Sequence, residues 1–186
     1  MNKTVNKTNK SISSNNDNKN CQANKIVKVL TIPFELHNPK NIGHSVEQSV
    51  CEYFNKPYVQ DGSQAVKFSA DLTLNNVGLQ VKSYLASIQS HDKSDSVKAI
   101  LESYYKQAKI NFKYVLYVDS YEVAMIQRKK KSGSIPKELT AYLMPLKQFL
   151  QVIARYVKIR PSSSGTNAIR LELPKKCIND IISLNK

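Results

Sequence analysis

The sequence predicts an α/β protein with a central mixed β-sheet flanked by helices, and three observations carry that expectation. Apolar residues recur at helical spacing in several stretches, and period-two alternation fills the gaps between them. With 41% hydrophobic and 23% charged residues, the composition suits a folded core. The length of 186 residues fits one domain, or one domain plus a tail, and excludes two large ones.

Residues 1–24 are mostly Asn, Lys and Ser and offer almost nothing to bury, so they read as a flexible basic tail before a single domain over 25–186. Gly43 to Phe54 follows Asn41 and sets Val46, Val50, Tyr53 and Phe54 on one helical arc. From Lys67 to Leu74 the period becomes two, with Phe68, Ala70, Leu72 and Leu74 on one face, and Val77, Leu79 and Val81 repeat it after Asn75-Asn76. Asn tolerates the left-handed conformation of a type I′ turn, so this is a hairpin.

Val97, Ile100, Leu101, Tyr104 and Ala108 return to helical spacing behind the cap candidates Asp92 and Ser94. Phe112 to Val118 then reads as a buried strand, with Glu122 to Gln127 a candidate to pair beside it. Leu146, Phe149, Leu150 and Ile153 mark an amphipathic helix over Pro145 to Val157. Asn167 to Leu173 alternates as a strand, and Pro174 opens a terminal helix. The order is αββαββαβα.

Charge narrows the function. Lys and Arg number 28 against 14 Asp plus Glu, a formal +14, which favours a polyanionic partner, nucleic acid first. From Met125 to Lys186 there are 13 Lys plus Arg and 3 Asp plus Glu, so this part carries +10 of the total. Arg128, Lys129, Lys130 and Lys131, ahead of Ser132-Gly133-Ser134, form a basic loop suited to phosphate contacts, and Arg155, Lys158, Arg160 and Arg170 join them as DNA-binding candidates. The tyrosines at buried spacing, Tyr104, Tyr114 and Tyr117, read as core. Three scattered cysteines, a polar N-terminus and the lack of a membrane-length apolar run point to a cytoplasmic protein with no membrane association. His37, His44 and His91 lack zinc-ligand spacing.

A two-residue loop at Asn75-Asn76 opposes Leu74 to Val77, and counting outward opposes Asp71 to Gln80 and Ser69 to Lys82. These four side chains then share the face turned away from Leu72, Leu79 and Val81. Glu47, at the margin of the helical arc, can point at the same place, whereas Glu52 lies opposite. Gathered carboxylates repel unless a hard divalent cation sits among them, which makes Mg²⁺ the natural cofactor. Such a site suits phosphodiester hydrolysis: Asp71, Gln80 through its side-chain oxygen, the Val81 carbonyl and Glu47 are the candidate metal ligands, and Lys82 would face the attacked phosphate. Ser69 and Ser83 stand beside them as supporting polar groups.

Ser-Ala-Asp71, eight intervening residues, then Gln80-Val-Lys82-Ser resembles the core motif of the PD-(D/E)xK nucleases, with Glu47 matching the acid that many members carry on the preceding helix. Ala70 stands where the motif has Pro, and Gln80 where it has Asp or Glu. The resemblance covers about residues 42–119 and implies a restriction-endonuclease-like α/β/α core, Mg²⁺-dependent cleavage of double-stranded DNA, and Asp71, Gln80, Lys82 and Glu47 as catalytic residues. The size is similar to that of the small subunit of a heterodimeric type IIS restriction endonuclease, which implies a large DNA-recognition partner. Two alternatives stay open: a structure-specific nuclease like a Holliday-junction resolvase, and a basic DNA-binding protein without catalysis.

Overall fold

A computed structural model describes residues 28–58, 70–89, 96–161 and 167–184. Ser69, the tail at 1–24, and the cap candidates Asp92 and Ser94 lie outside them. Thirteen elements follow in order: β1 (Lys28–Pro33), α1 (Ile42–Tyr53), β2 (Leu72–Leu74), β3 (Val77–Ser83), β4 (Ser87–Gln89), α2 (Val97–Ala108) and β5 (Tyr114–Val118), then α3 (Tyr121–Gln127), β6 (Glu138–Pro145), α4 (Leu146–Ile153), β7 (Lys158–Pro161), β8 (Asn167–Arg170) and α5 (Lys175–Ser183).

Five strands form a mixed sheet in the order β1-β6-β5-β3-β2. The β3 and β5 strands are parallel, joined by the α2 crossover, and the other pairs are antiparallel. Alternation along β3 and β5 divides the core between the two faces. Leu79, Val81, Leu116 and Val118 turn toward Val46 and Val50 of α1 and Val123 of α3. Val115 and Tyr117 turn the other way, toward Ile100 and Tyr104 of α2, Phe149 and Ile153 of α4, and Ile178 and Ile181 of α5. The fold is therefore α/β, with helices on both faces of a mixed sheet.

The hairpin forms where the sequence places it. Asn75 and Asn76 both adopt left-handed φ, 47° and 63°, and Leu74 pairs with Val77 and Leu72 with Leu79. The helices α1, α2, α4 and α5 also fall on their expected stretches, with Ser96 capping α2 by accepting the Ala99 N–H at 3.5 Å.

Three expectations are corrected. Glu122 to Gln127 lies within the helix α3 rather than a strand, because Val123 and Ala124 are buried consecutively and Asp119 Oδ1 accepts the Tyr121 N–H at 3.1 Å to start the turn. The strand beside β5 is β6, which the sequence reading missed along with β1. Leu139 and Ala141 pack on one face of β6 and Tyr142 and Met144 on the other, so no polar face marks a strand period. The strand at Asn167 does not enter the central sheet. It is the middle strand of a second, three-stranded sheet, β4-β8-β7, whose Ile88 and Ile169 pack into the core beside α2.

Candidate functional site

Asp71 sits on the bend where β2 parts from β3, and this sets up the site. Its N–H donates to the Leu79 carbonyl at 2.9 Å, and the regular ladder begins only at Leu72. Beyond Leu79 the β2 side of β3 has lost its neighbour, so the carboxylate takes over: Asp71 Oδ2 accepts the Val81 N–H at 2.5 Å and the Gln80 side-chain N–H. In a strand the N–H and C=O of one residue leave toward the same edge, which puts the Val81 carbonyl on the Asp71 side.

Gln80 is thus tied to Asp71 by its nitrogen, whereas the sequence reading assigned its oxygen to a metal. The amide buttresses the carboxylate, and its oxygen is the second polar end of the same group. Gln80 is only 5% exposed, so the face carrying Gln80 and Lys82 is covered rather than open to water. The α2 helix crosses it and brings the buried Tyr104 into the electrostatic environment of Lys82.

Glu47 comes from the other side of the sheet, on α1. It lines a cavity of about 440 Å³ together with Val81, Lys82, Ser83, Ala86, Ser87 and Arg170. Gly43 also lines this space; a Cβ there would stand 3.2 Å from Oδ1 of Asn41, the residue that caps α1.

Charge is crowded here. Burial, then the Asp71 charge, pushes the Glu47 carboxyl up to about 7, with Lys82 opposing. Burial also raises Asp71, against the pull of Lys82 and of the Val81 and Gln80 N–H groups. The Asp71 side chain still reaches solvent, yet enough protein surrounds the carboxyl for desolvation to dominate. Burial works against the Lys82 ammonium, but Tyr104, Asp71 and Glu47 outweigh it and hold its pKa above the usual lysine value. Lys82 is therefore a charged group at neutral pH and not a general base. Cys51 and Tyr58 feel the same carboxylates, both raised first by burial and then by Asp71 or Glu47.

The donor set fits a hard cation. Among the described residues no three His, Cys, Asp or Glu side chains cluster, and Mg²⁺ characteristically takes one or two carboxylates and keeps several waters for substrate oxygens. Asp71 and Glu47 would supply the carboxylates, with the Gln80 amide and Val81 carbonyl as the neutral oxygens such a cation would need.

The basic candidates separate into two groups. Arg170 lines the cavity, and Lys158 and Arg160 lie on the strand beside it. The Arg128–Lys131 loop is a hydrogen-bonded turn ending α3, with Lys130 N donating to the Met125 carbonyl at 2.9 Å. Arg128 pairs with Glu172 and Lys131 with Glu122, while Lys129 and Lys130 are exposed. Arg155 stands exposed on the turn after α4 and does not line the cavity. Tyr104 and Tyr117 are buried as the spacing indicates, but Tyr114 is 39% exposed. Sequence reasoning missed Tyr104 as a neighbour of Lys82 and missed Glu172 altogether. The first carried a core signal only, and the second is an isolated acid in a basic segment. Comparison of the chain with protein-family models, curated proteins and solved structures gave no match.

Proposed function

We propose that the protein is a Mg²⁺-dependent endonuclease that hydrolyses phosphodiester bonds in double-stranded DNA, of the PD-(D/E)xK kind, acting on one strand beside a partner subunit that recognises the sequence. The observation that carries this reading is the convergence of Asp71, Gln80, Lys82 and Glu47 from a strand bend, a strand and a helix onto one place, with Glu47 and Lys82 sharing a cavity that Arg170 also lines. A bound Mg²⁺ would supply a polarised water and screen charge on the phosphate.

The protein's own groups do the rest. Asp71 has one carboxylate oxygen, Oδ2, fixed by two N–H donors, and its other oxygen would be the one offered to the cation. Lys82, charged and poorly solvated, stabilises negative charge building on the attacked phosphate. Lys82→Ala is expected to lower cleavage of supercoiled plasmid by at least a hundredfold, while its melting temperature and DNA retention stay near those of the unaltered chain. The assay is run with Mg²⁺, on the purified chain alone and with an extract of its host lacking this gene. Equal nicking by the variant in both arms would refute the assignment. Binding that ignores both Mg²⁺ and Asp71→Ala would transfer it to a non-catalytic DNA-binding protein.

A further inference from the structure

Glu172 gathers two guanidiniums, one of them Arg170, which lines the same cavity as Glu47 and Lys82. Its Oε1 lies 2.9 Å from Arg170 Nε in an ion pair and accepts from Arg128 Nη2 at 3.4 Å. Arg128 in turn lies over the Tyr84 ring, 5.9 Å from its centroid. Two positive charges share one negative charge, so the group remains cationic.

The two arginines are placed differently. Arg128 is spent on Glu172 and Tyr84 and is two-thirds buried, with 31% of its side chain exposed. Arg170 lines the cavity and is 44% exposed. A guanidinium has five N–H donors; the Glu172 contact is at Nε, on one edge of the group, and its two terminal nitrogens form a fork on the other side. That fork matches the paired oxygens of a phosphodiester.

The second sheet extends the site. Ser87, Arg170 and Lys158 are paired across β4, β8 and β7, so they form one row on one face. Arg160, two residues beyond Lys158, projects from the same face. The neighbouring row of Ile88, Ile169 and Ile159 packs into the core. A track of spaced cations leading from a cavity suits a chain of phosphates better than a single small anion.

We propose that Arg170, oriented by Glu172, is the bidentate site for a backbone phosphate of the DNA strand that enters the cavity, flanking the phosphate attacked at Lys82. The inference rests on the nuclease reading for the identity of the polymer, and its test reads binding rather than cleavage.

The full chain is titrated against labelled duplex DNA by fluorescence anisotropy without divalent metal, over a series of NaCl concentrations. Arg170→Ala is expected to weaken binding about tenfold and to reduce the slope of log K against log salt by about 0.9, the value of one phosphate contact. Arg170→Lys is expected to restore the slope but not the affinity, because an ammonium keeps the charge and lacks the fork. Lys98→Ala, on the exposed side of α2 outside the cavity, serves as the control and leaves both unchanged. An Arg170→Ala loss no larger than that of Lys98→Ala overturns the proposal, and so does an Arg170→Lys variant that binds like the unaltered chain. If the Arg170 pattern appears in a chain that never cuts DNA, the phosphate site stands and the nuclease reading fails. If Lys82-dependent cutting is present and Arg170→Ala binds normally, the reverse holds.

Discussion

Burial and the Asp71 charge hold the Glu47 carboxyl near 7 against an ordinary 4.5, so the folded chain takes up a proton there that the unfolded chain has released. The favourable contribution of the neutral acid is complete below about pH 4.5 and is lost as pH rises through about 7. Glu47→Gln removes that loss. In thermal melts without divalent metal it is expected to raise Tm by about 5 °C near pH 8 and to change it little near pH 4. An equal gain at both pH values would show that ionisation is not the cause. Mg²⁺ binding requires the ionised carboxylate, so titration with Mg²⁺ near pH 6.5 is expected to release protons from the unaltered chain and fewer from the variant. Tyr117 gives an independent check on the core: its hydroxyl is buried with no partner among the described residues. Tyr117→Phe is expected to stabilise the fold by about 1 kcal/mol in urea unfolding, because it removes a desolvated donor and keeps the ring. At this scale Glu47, Asp71 and Lys82 were legible from spacing alone. Tyr104 was not, because its helical position reads as core and nothing local says which strand residue α2 covers.

The β2–β3 hairpin is the element on which the site depends. Its turn needs left-handed φ at both loop residues, and two asparagines supply it. Gly78, just after the turn, is required for a different reason: a Cβ there would stand 2.1 Å from the Asn111 backbone carbonyl oxygen, in the connection between α2 and β5. Backbone cannot rotate out of the way as a side chain can. Gly78→Ala is therefore expected to cost about 2–3 kcal/mol in urea unfolding. It is also expected to reduce cleavage beyond what the stability loss explains, since Gln80 and Lys82 follow on the same strand. A variant of normal stability would mean that the connection yields. The hairpin was readable because one face of each strand is apolar and the turn residues are specific. The α3 segment was not, because seven residues with adjacent buried positions satisfy neither period. The β1 strand lies at a sheet edge, and only its antiparallel pairing with β6, more than a hundred residues away in the chain, defines it.

Across the whole molecule, the described residues contain one Asp71–Lys82–Glu47 cluster per chain, so the proposed nuclease would cut one strand at a time. Plasmid treated with limiting protein is expected to accumulate as open circles before any linear form appears. Simultaneous appearance of linear product would show two chains acting together. The charge distribution by itself does not name the contacts that its cations make. The excess of cations after Met125 is real, but Glu122 and Glu172 neutralise part of it, and the second sheet carries Lys158, Arg160 and Arg170 back to the cavity.

Local rules were enough for the α/β class, the hairpin and its register, four of the five helices, and the acid, amide and lysine that meet across two strands. Each rests on periods of 2 or 3.6 residues or on a turn that few residue types allow. Tertiary structure alone decided the rest: β6 as the partner of β5, the second sheet, the burial of the Gln80 and Lys82 face beneath α2, and the Arg128–Glu172–Arg170 group, whose Arg170 lines the cavity. A strand covered on both faces has no alternation to read, and an ion pair between residues 44 positions apart forms only after the layers that carry them have packed.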